Sequence, residues 1–319
     1  MSRPIAPSPS MSCLAQRYLD DRRRLGYSLK IAGHQLLAFA RFADQSEHRG
    51  PLTKTLILSW VRSSPRKSTV TWARRVELIR PFAKYLQQFD PAVEIPDTHL
   101  FGRAHRRLTP HIYTEQEICT LLRSAAKLGP ERSLRGLTYS CLYGLIAATG
   151  LRISEALNLC RSDVDLDSGT LTIRRTKFQK SRLVPTHPST AQILRDYAGA
   201  REQTVANVSD RFFVSMRGVG LKNRTVHGVF QGLRAQLGWT ARGGHPHPRI
   251  HDLRHSFICH RIKHWYRQGI NVDHAIVALS TYVGHVKVTD TYWYLTGIPD
   301  LMAIVAKKFE RFAHGDQHG

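Results

Sequence analysis

Carboxylates are scarce in this chain, with 24 Asp and Glu against 47 Lys and Arg and a formal charge of +23. A balance that basic speaks about partners and not about fold, and the expected partner is a polyanion. With 42% hydrophobic residues the composition is that of a globular protein, which favours DNA or RNA over an anionic membrane surface. The same shortage limits metal chemistry. Asp163, Asp165 and Asp167 alternate as in a calcium loop, but Ser168 stands where glycine is required and Arg174 where a glutamate is needed. No other carboxylate trio suggests a magnesium site, which argues against a two-metal nuclease or transposase. Cysteine is sparse too. Cys13, Cys119, Cys141, Cys160 and Cys259 are odd in number and form no Cys-x-x-Cys pair, a pattern of a reducing compartment without disulfides or zinc. Long apolar runs are missing: Leu142 to Ala148 is far short of the roughly 20 residues that span a bilayer. Residues Met1 to Ser12 hold Pro and Ser but no apolar core of a signal peptide. The expectation is a soluble cytoplasmic protein with a disordered tail over 1–12, no membrane partner and no cofactor.

What is present begins with helical periodicity. From about Met11 to Phe89, apolar stripes such as Val76, Ile79, Phe82, Ala83 and Leu86 alternate with Arg22-Arg23-Arg24, Arg74-Arg75 and Lys84. Residues 13–90 are expected to form an all-α module, and its excess of arginine suits phosphate contact. Residues 91–112 carry Pro91, Pro96 and Pro110 around Arg103, Arg106 and Arg107, the composition of a basic linker. A second domain, 113–319, opens with Thr114-Glu115-Gln116-Glu117, a capping box. An apolar helix over Leu137 to Thr149 is stopped by Gly150. Leu171 to Arg175 and Arg182 to Pro185 read as strands joined by the turn Thr176-Lys177-Phe178-Gln179-Lys180-Ser181. Ser189 caps a further helix, and Val226 to Leu237 form another, with Lys222, Arg224 and Arg234 nearby as candidates for a groove contact. His245 and His247 alternate with proline in a loop and have no third ligand close in sequence, so no metal is expected there.

Groups suited to attack on a phosphodiester collect in two places. Arg152 follows the helix-stopping Gly150, with Glu155 three residues on to brace it. Further along stand His251-Asp-Leu-Arg254-His255, Val283-Gly284-His285 and Tyr292-Trp293-Tyr294. A guanidinium fork fits two phosphate oxygens. His251 and Arg254, three apart, share a helix face. A phenol with a pKa near 10 needs neighbouring cations to become a useful nucleophile.

These boxes resemble the tyrosine recombinase (phage integrase) family. Its first arginine box is matched by Thr149-Gly-Leu-Arg152-Ile-Ser-Glu155, and its second by His251-Asp-Leu-Arg254-His255. Val283-Gly-His285 departs only by valine for leucine, and Tyr294 lies at the family's spacing of nine from His285. The resemblance implies a mainly α fold with a small antiparallel sheet. It also implies a C-shaped, two-domain DNA clamp made of a SAM-like helical core-binding domain and a catalytic domain ending in a C-terminal helix. It implies a reaction through a 3′-phosphotyrosyl intermediate and a Holliday junction, without metal or nucleotide. Tyr294 would be the nucleophile and Arg152 and Arg254 the phosphate clamps. His251 would accept the tyrosine proton, His285 would donate to a non-bridging oxygen, and Lys177 would serve as general acid. Lys180, Arg182, Arg74, Arg75, Arg106, Arg107, Lys222 and Arg224 are candidates for DNA-backbone contact. The partners implied are duplex DNA with core sites and other copies of the chain in a tetrameric synapse, with partner recombinases also possible. A type IB topoisomerase-like enzyme and a non-catalytic DNA-binding regulator are the alternatives, the second opposed by the complete catalytic set.

Overall fold

The computed structural model describes residues 9–104, 107–131, 133–174, 181–205 and 209–297, together with 302, 303, 306 and 310. Lys177, Lys180, Arg106 and most of the expected C-terminal helix lie outside the described residues. The chain divides into two compact units, Met1–Arg107 and Leu108–Gly319.

The first unit is built from α1 (Met11–Arg24), α2 (Lys30–Gln45), α3 (Lys54–Arg62) and α4 (Thr69–Gln87). Helix α1 starts earlier than the expected tail allows. Ser10 caps it by accepting from the Cys13 N–H, and the Asp44 carboxylate accepts from the backbone N–H of Met11 (2.8 Å) and Ser12 (3.1 Å). The N-terminal donors of the helix are thus satisfied by a side chain from α2. Much of the expected linker also belongs to this unit. Val93 is buried in its core, Ile95 and Phe101 pack against it, and the Phe101 ring meets Trp72 edge-on at 5.4 Å. Arg80 donates to the Pro96 carbonyl. The segment lies as a strap on the helices, where its composition suggests an open connection.

The second unit has a core centred on α6 (Leu134–Thr149), packed against α5 (Glu115–Ala126), α8 (Pro188–Thr204) and α10 (Ile250–Arg267). The capping box on α5 forms as the sequence suggests: the Thr114 hydroxyl accepts from the Glu117 N–H, and the Glu117 carboxylate from the Thr114 N–H. Helix α8 begins two residues earlier than a cap at Ser189 would place it. Pro188 occupies its first position and His187 caps it, because proline has the φ of a first turn and no N–H to satisfy. A three-stranded antiparallel sheet in the order β1 (Val164–Asp165), β2 (Thr170–Ile173), β3 (Arg182–Pro185) pairs Thr170 with Pro185 and Ile173 with Arg182. Strand β1 is too short to leave a periodic signal. The aspartates around it are taken up locally, Asp163 by Arg174 and Asp165 by the N–H groups of Asp167 and Ser168. Helices α7 (Ile153–Asn158), α9 (Asn223–Gln236), α11 (Val272–Val283) and α12 (Thr289–Gly297), with a short 3-10 helix over Arg161–Asp163, complete the described elements. Among the described residues no helix is long and apolar enough to cross a membrane.

Candidate active site

Two glycines bring the site together. Gly150 (φ +64°) ends α6 and Gly284 (φ +71°) ends α11 in the left-handed conformation, which a side chain would oppose. The end of α11 leaves carbonyls with no partner in the helix, at the negative end of its dipole. Three guanidinia fill these places. Arg182 donates from Nε to the Tyr282 carbonyl (2.8 Å), Arg254 from Nη2 to the Val283 carbonyl (2.8 Å) and Arg152 from Nη2 to the Gly284 carbonyl (2.8 Å). Arg254 also donates to the Gly150 carbonyl at 2.6 Å, so one buried side chain joins α10 to the ends of α6 and α11. Its residue is only 1% exposed, and burial, then the charge of Arg152, pushes its pKa down to about 9. It remains a cation at pH 7.

Glu155 balances this cluster. Its oxygens accept from Arg152 Nη1 (2.8 Å), Arg182 Nη1 (3.1 Å) and Arg182 Nη2 (2.9 Å). Burial works to raise the Glu155 pKa, but the hydrogen bonds and charges of Arg182 and Arg152 outweigh it and hold the pKa below the usual carboxylate value. Three guanidinia around one carboxylate leave an excess of two positive charges, fixed on rigid helix ends. A preorganised excess of this kind stabilises a developing anion without reorganisation when the charge appears.

Arg182 was expected on the DNA backbone, yet its side chain is only 11% exposed and is committed to Glu155 and to α11. It holds the site's frame. Arg75 likewise turns inward, its guanidinium over the Trp60 ring at 4.0 Å and bonded to the Trp60 and Val61 carbonyls, where it caps the end of α3. Arg74, Arg107, Lys222 and Arg224 are exposed.

Tyr294 and Tyr292 differ sharply, at 1% and 37% exposure. Two positions apart on α12, their side chains point roughly 200° from each other. Trp293 and Leu295 pack beside Tyr294 in a small core with Ile258, Ile262 and Val283. The His285 ring stacks on Tyr294 (6.4 Å between centroids, 9° between planes), and His285 Nδ1 lies 2.7 Å from the Thr291 hydroxyl. His255, quoted in the second box but given no role by its sequence context, has Nδ1 2.5 Å from the Tyr294 hydroxyl. His251, the expected proton acceptor, meets His255 edge-on at 4.7 Å. The protein packed around His251, then the charges of Arg254 and Arg249, lower its pKa to about 4. The residue also keeps an exposed surface, and with its pKa lowered the ring is neutral at pH 7. Arg152, Arg254, His251, His285 and Tyr294 thus sit around one set of helix ends, while Lys177 lies outside the described residues.

The frame makes a prediction of its own. A Cβ on Gly284 would stand 2.6 Å from Arg182 Nη1, at a φ that costs an L-residue roughly 1–2 kcal/mol. Gly284→Ala should therefore lower the melting temperature and displace Arg182. Thermal unfolding unchanged from wild type would show that the turn after α11 does not depend on this contact.

Comparisons with known proteins identify the family. Residues 112–297 match the model of the phage integrase family. The integrase/recombinase y4rB of Sinorhizobium fredii is 40% identical over 304 residues, covering 93% of this chain and 96% of that protein. The tyrosine recombinase XerC of Staphylococcus aureus is 25% identical over 275 residues, covering 84% and 85%. The fold resembles that of XerH site-specific recombinase bound to its palindromic difH substrate (TM-score 0.65, 17% identity, 94% of this chain and 85% of that one). It also resembles the Tn1549 transposon integrase in complex with transposon right end DNA (TM-score 0.67, 15% identity, 96% and 100%). With its sequence matched from 112 to 297 and its helices laid out as in these recombinases, the chain belongs to the phage integrase family: it is a tyrosine recombinase, a DNA strand-transferring enzyme.

Proposed function

We propose that the chain is a site-specific integrase or transposase that cuts and rejoins duplex DNA through a 3′-phosphotyrosyl bond on Tyr294. The observation that carries this reading is the excess of positive charge made by Arg152, Arg182 and Arg254 around Glu155, beside the hydroxyl of a buried tyrosine. In the reaction, the Tyr294 oxygen attacks the scissile phosphate and the 5′ oxygen leaves. Arg152 and Arg254 neutralise the pentavalent transition state. His285 donates to a non-bridging oxygen, and neutral His251 offers a ring N–H to the same phosphate. Lys177, in the basic sequence between β2 and β3, protonates the leaving oxygen. The 3′-linked enzyme then passes its strand to a second duplex through a Holliday junction. In this reading Met1–Arg107 is a core-binding domain. Exposed Arg74, Arg107, Lys222 and Arg224, with Arg106 and Lys180, contact the backbone, and four copies assemble on paired core sites.

The test uses a duplex enriched from a random library by binding to the protein, nicked beside the cut so that cleavage is trapped. A covalent adduct should accumulate in EDTA. Cleavage that is lost in EDTA and restored only by magnesium would sink this mechanism. Lys177→Ala should slow cleavage of ordinary DNA by about 10²- to 10⁴-fold, yet cut well when sulfur replaces the bridging 5′ oxygen, since a thiolate leaves without a proton. Absence of that rescue would reduce Lys177 to a backbone contact.

A further inference from the structure

We propose that His255 accepts the proton from Tyr294 as the phosphotyrosyl bond forms. The inference rests on the reading above, in which Tyr294 is the nucleophile. A phenol with a pKa near 10 is only about one part in a thousand ionised at pH 7, so attack gains from a base within hydrogen-bond reach of the hydroxyl. His255 Nδ1, at 2.5 Å, is at that distance.

Both partners are held in place. His255 directly follows Arg254, whose bonds to the Gly150 and Val283 carbonyls fix that turn of α10. Tyr294 is clamped between the His285 ring and the small core around Ile258 and Val283. The surroundings suit a base that gains charge. The neighbour stacked edge-on at 4.7 Å is His251, which is held neutral and does not compete as a second imidazolium.

The step balances. The Tyr294 O–H bond breaks and its proton goes to Nδ1 of a His255 ring protonated on Nε2. The tyrosine oxygen bonds to phosphorus as the bond from phosphorus to the 5′ oxygen breaks, and that oxygen takes its proton from Lys177. Rejoining runs in reverse: a 5′ hydroxyl attacks phosphorus, and Nδ1 returns its proton to the departing tyrosine oxygen.

The test compares His255→Ala and His255→Asn with wild type on the nicked trapping duplex, each with tyrosine or a trifluorotyrosine at position 294. Asparagine keeps a hydrogen-bond acceptor near the place of Nδ1 but does not take a proton at neutral pH. Fluorination acidifies the phenol, so a base becomes dispensable. Both variants should bind DNA as wild type does and cleave about 10²- to 10⁴-fold more slowly, and fluorotyrosine should restore most of the lost rate. His255→Asn cleaving at the wild-type rate would leave His255 a positioning role only and overturn the proposal. Slow variants that fluorotyrosine does not rescue would do the same. So would variants faster than wild type, which would make the contact a resting lock on the tyrosine. An adduct on Tyr294 that forms equally well without His255 defeats this inference alone. A wild-type protein whose adduct lies elsewhere defeats the underlying reading.

Discussion

Tyr294→Phe is expected to bind DNA with wild-type affinity and to form no covalent adduct at all. The substitution removes one oxygen from a side chain that is 1% exposed and leaves the ring packed against His285 and Trp293. The structural loss includes the hydrogen bond to His255, on the order of 0.5–1.5 kcal/mol, which a domain of this size tolerates. The chemical loss is complete, because phenylalanine has no nucleophile to offer. Tyr292→Phe is the matched control. Its ring is 37% exposed on the other side of α12, so this variant should trap adduct like wild type. Denaturing electrophoresis of labelled DNA after reaction reads both. An adduct in Tyr294→Phe that vanishes in Tyr292→Phe would reverse the assignment.

The second large effect concerns Arg254, which acts on two levels. As a phosphate clamp, its removal should slow cleavage by at least the roughly 10²- to 10³-fold typical of one lost transition-state donor. As a buried side chain bonded to the Gly150 and Val283 carbonyls, it also ties three helices together. Arg254→Ala leaves both carbonyls without that donor and opens a cavity, so it should lower the melting temperature as well. Arg254→Lys separates the two contributions. It keeps the charge but not the planar fork that reaches two carbonyls at once. The lysine variant should stay folded, by circular dichroism and thermal melting, and still cleave at a small fraction of the wild-type rate. Near-normal cleavage by Arg254→Lys would mean that charge alone is enough there.

Much of the site was legible because its signals are local. The capping box at Thr114, the stop at Gly150 and the separation of Tyr292 from Tyr294 need only neighbouring residues and helical geometry. Arg182 was misread for the opposite reason. Its partner Glu155 is 27 residues away and its carbonyl partners on α11 are 100 and 101 residues away, so nothing near it in sequence separates a buried brace from a phosphate contact. His255 stood in view within the second box, but its meaning depends on how α10 packs against α12, 39 residues later. The strap over residues 91–104 misled by composition. Proline and arginine suggest an open linker, whereas the seating of Val93 and Phe101 in the helical core is a tertiary fact.

The most direct measurement is the mass of the peptide that carries DNA. Wild-type protein is trapped on the nicked duplex in EDTA, digested with nuclease and trypsin, and the nucleotide-bearing peptide is fragmented. The account predicts a peptide running from Val288 to Lys307 with the nucleotide on Tyr294, joined through the 3′ phosphate of the cut strand. A nucleotide on any other residue, or a cut strand that ends in a free 3′ phosphate or hydroxyl with no peptide attached, would contradict it.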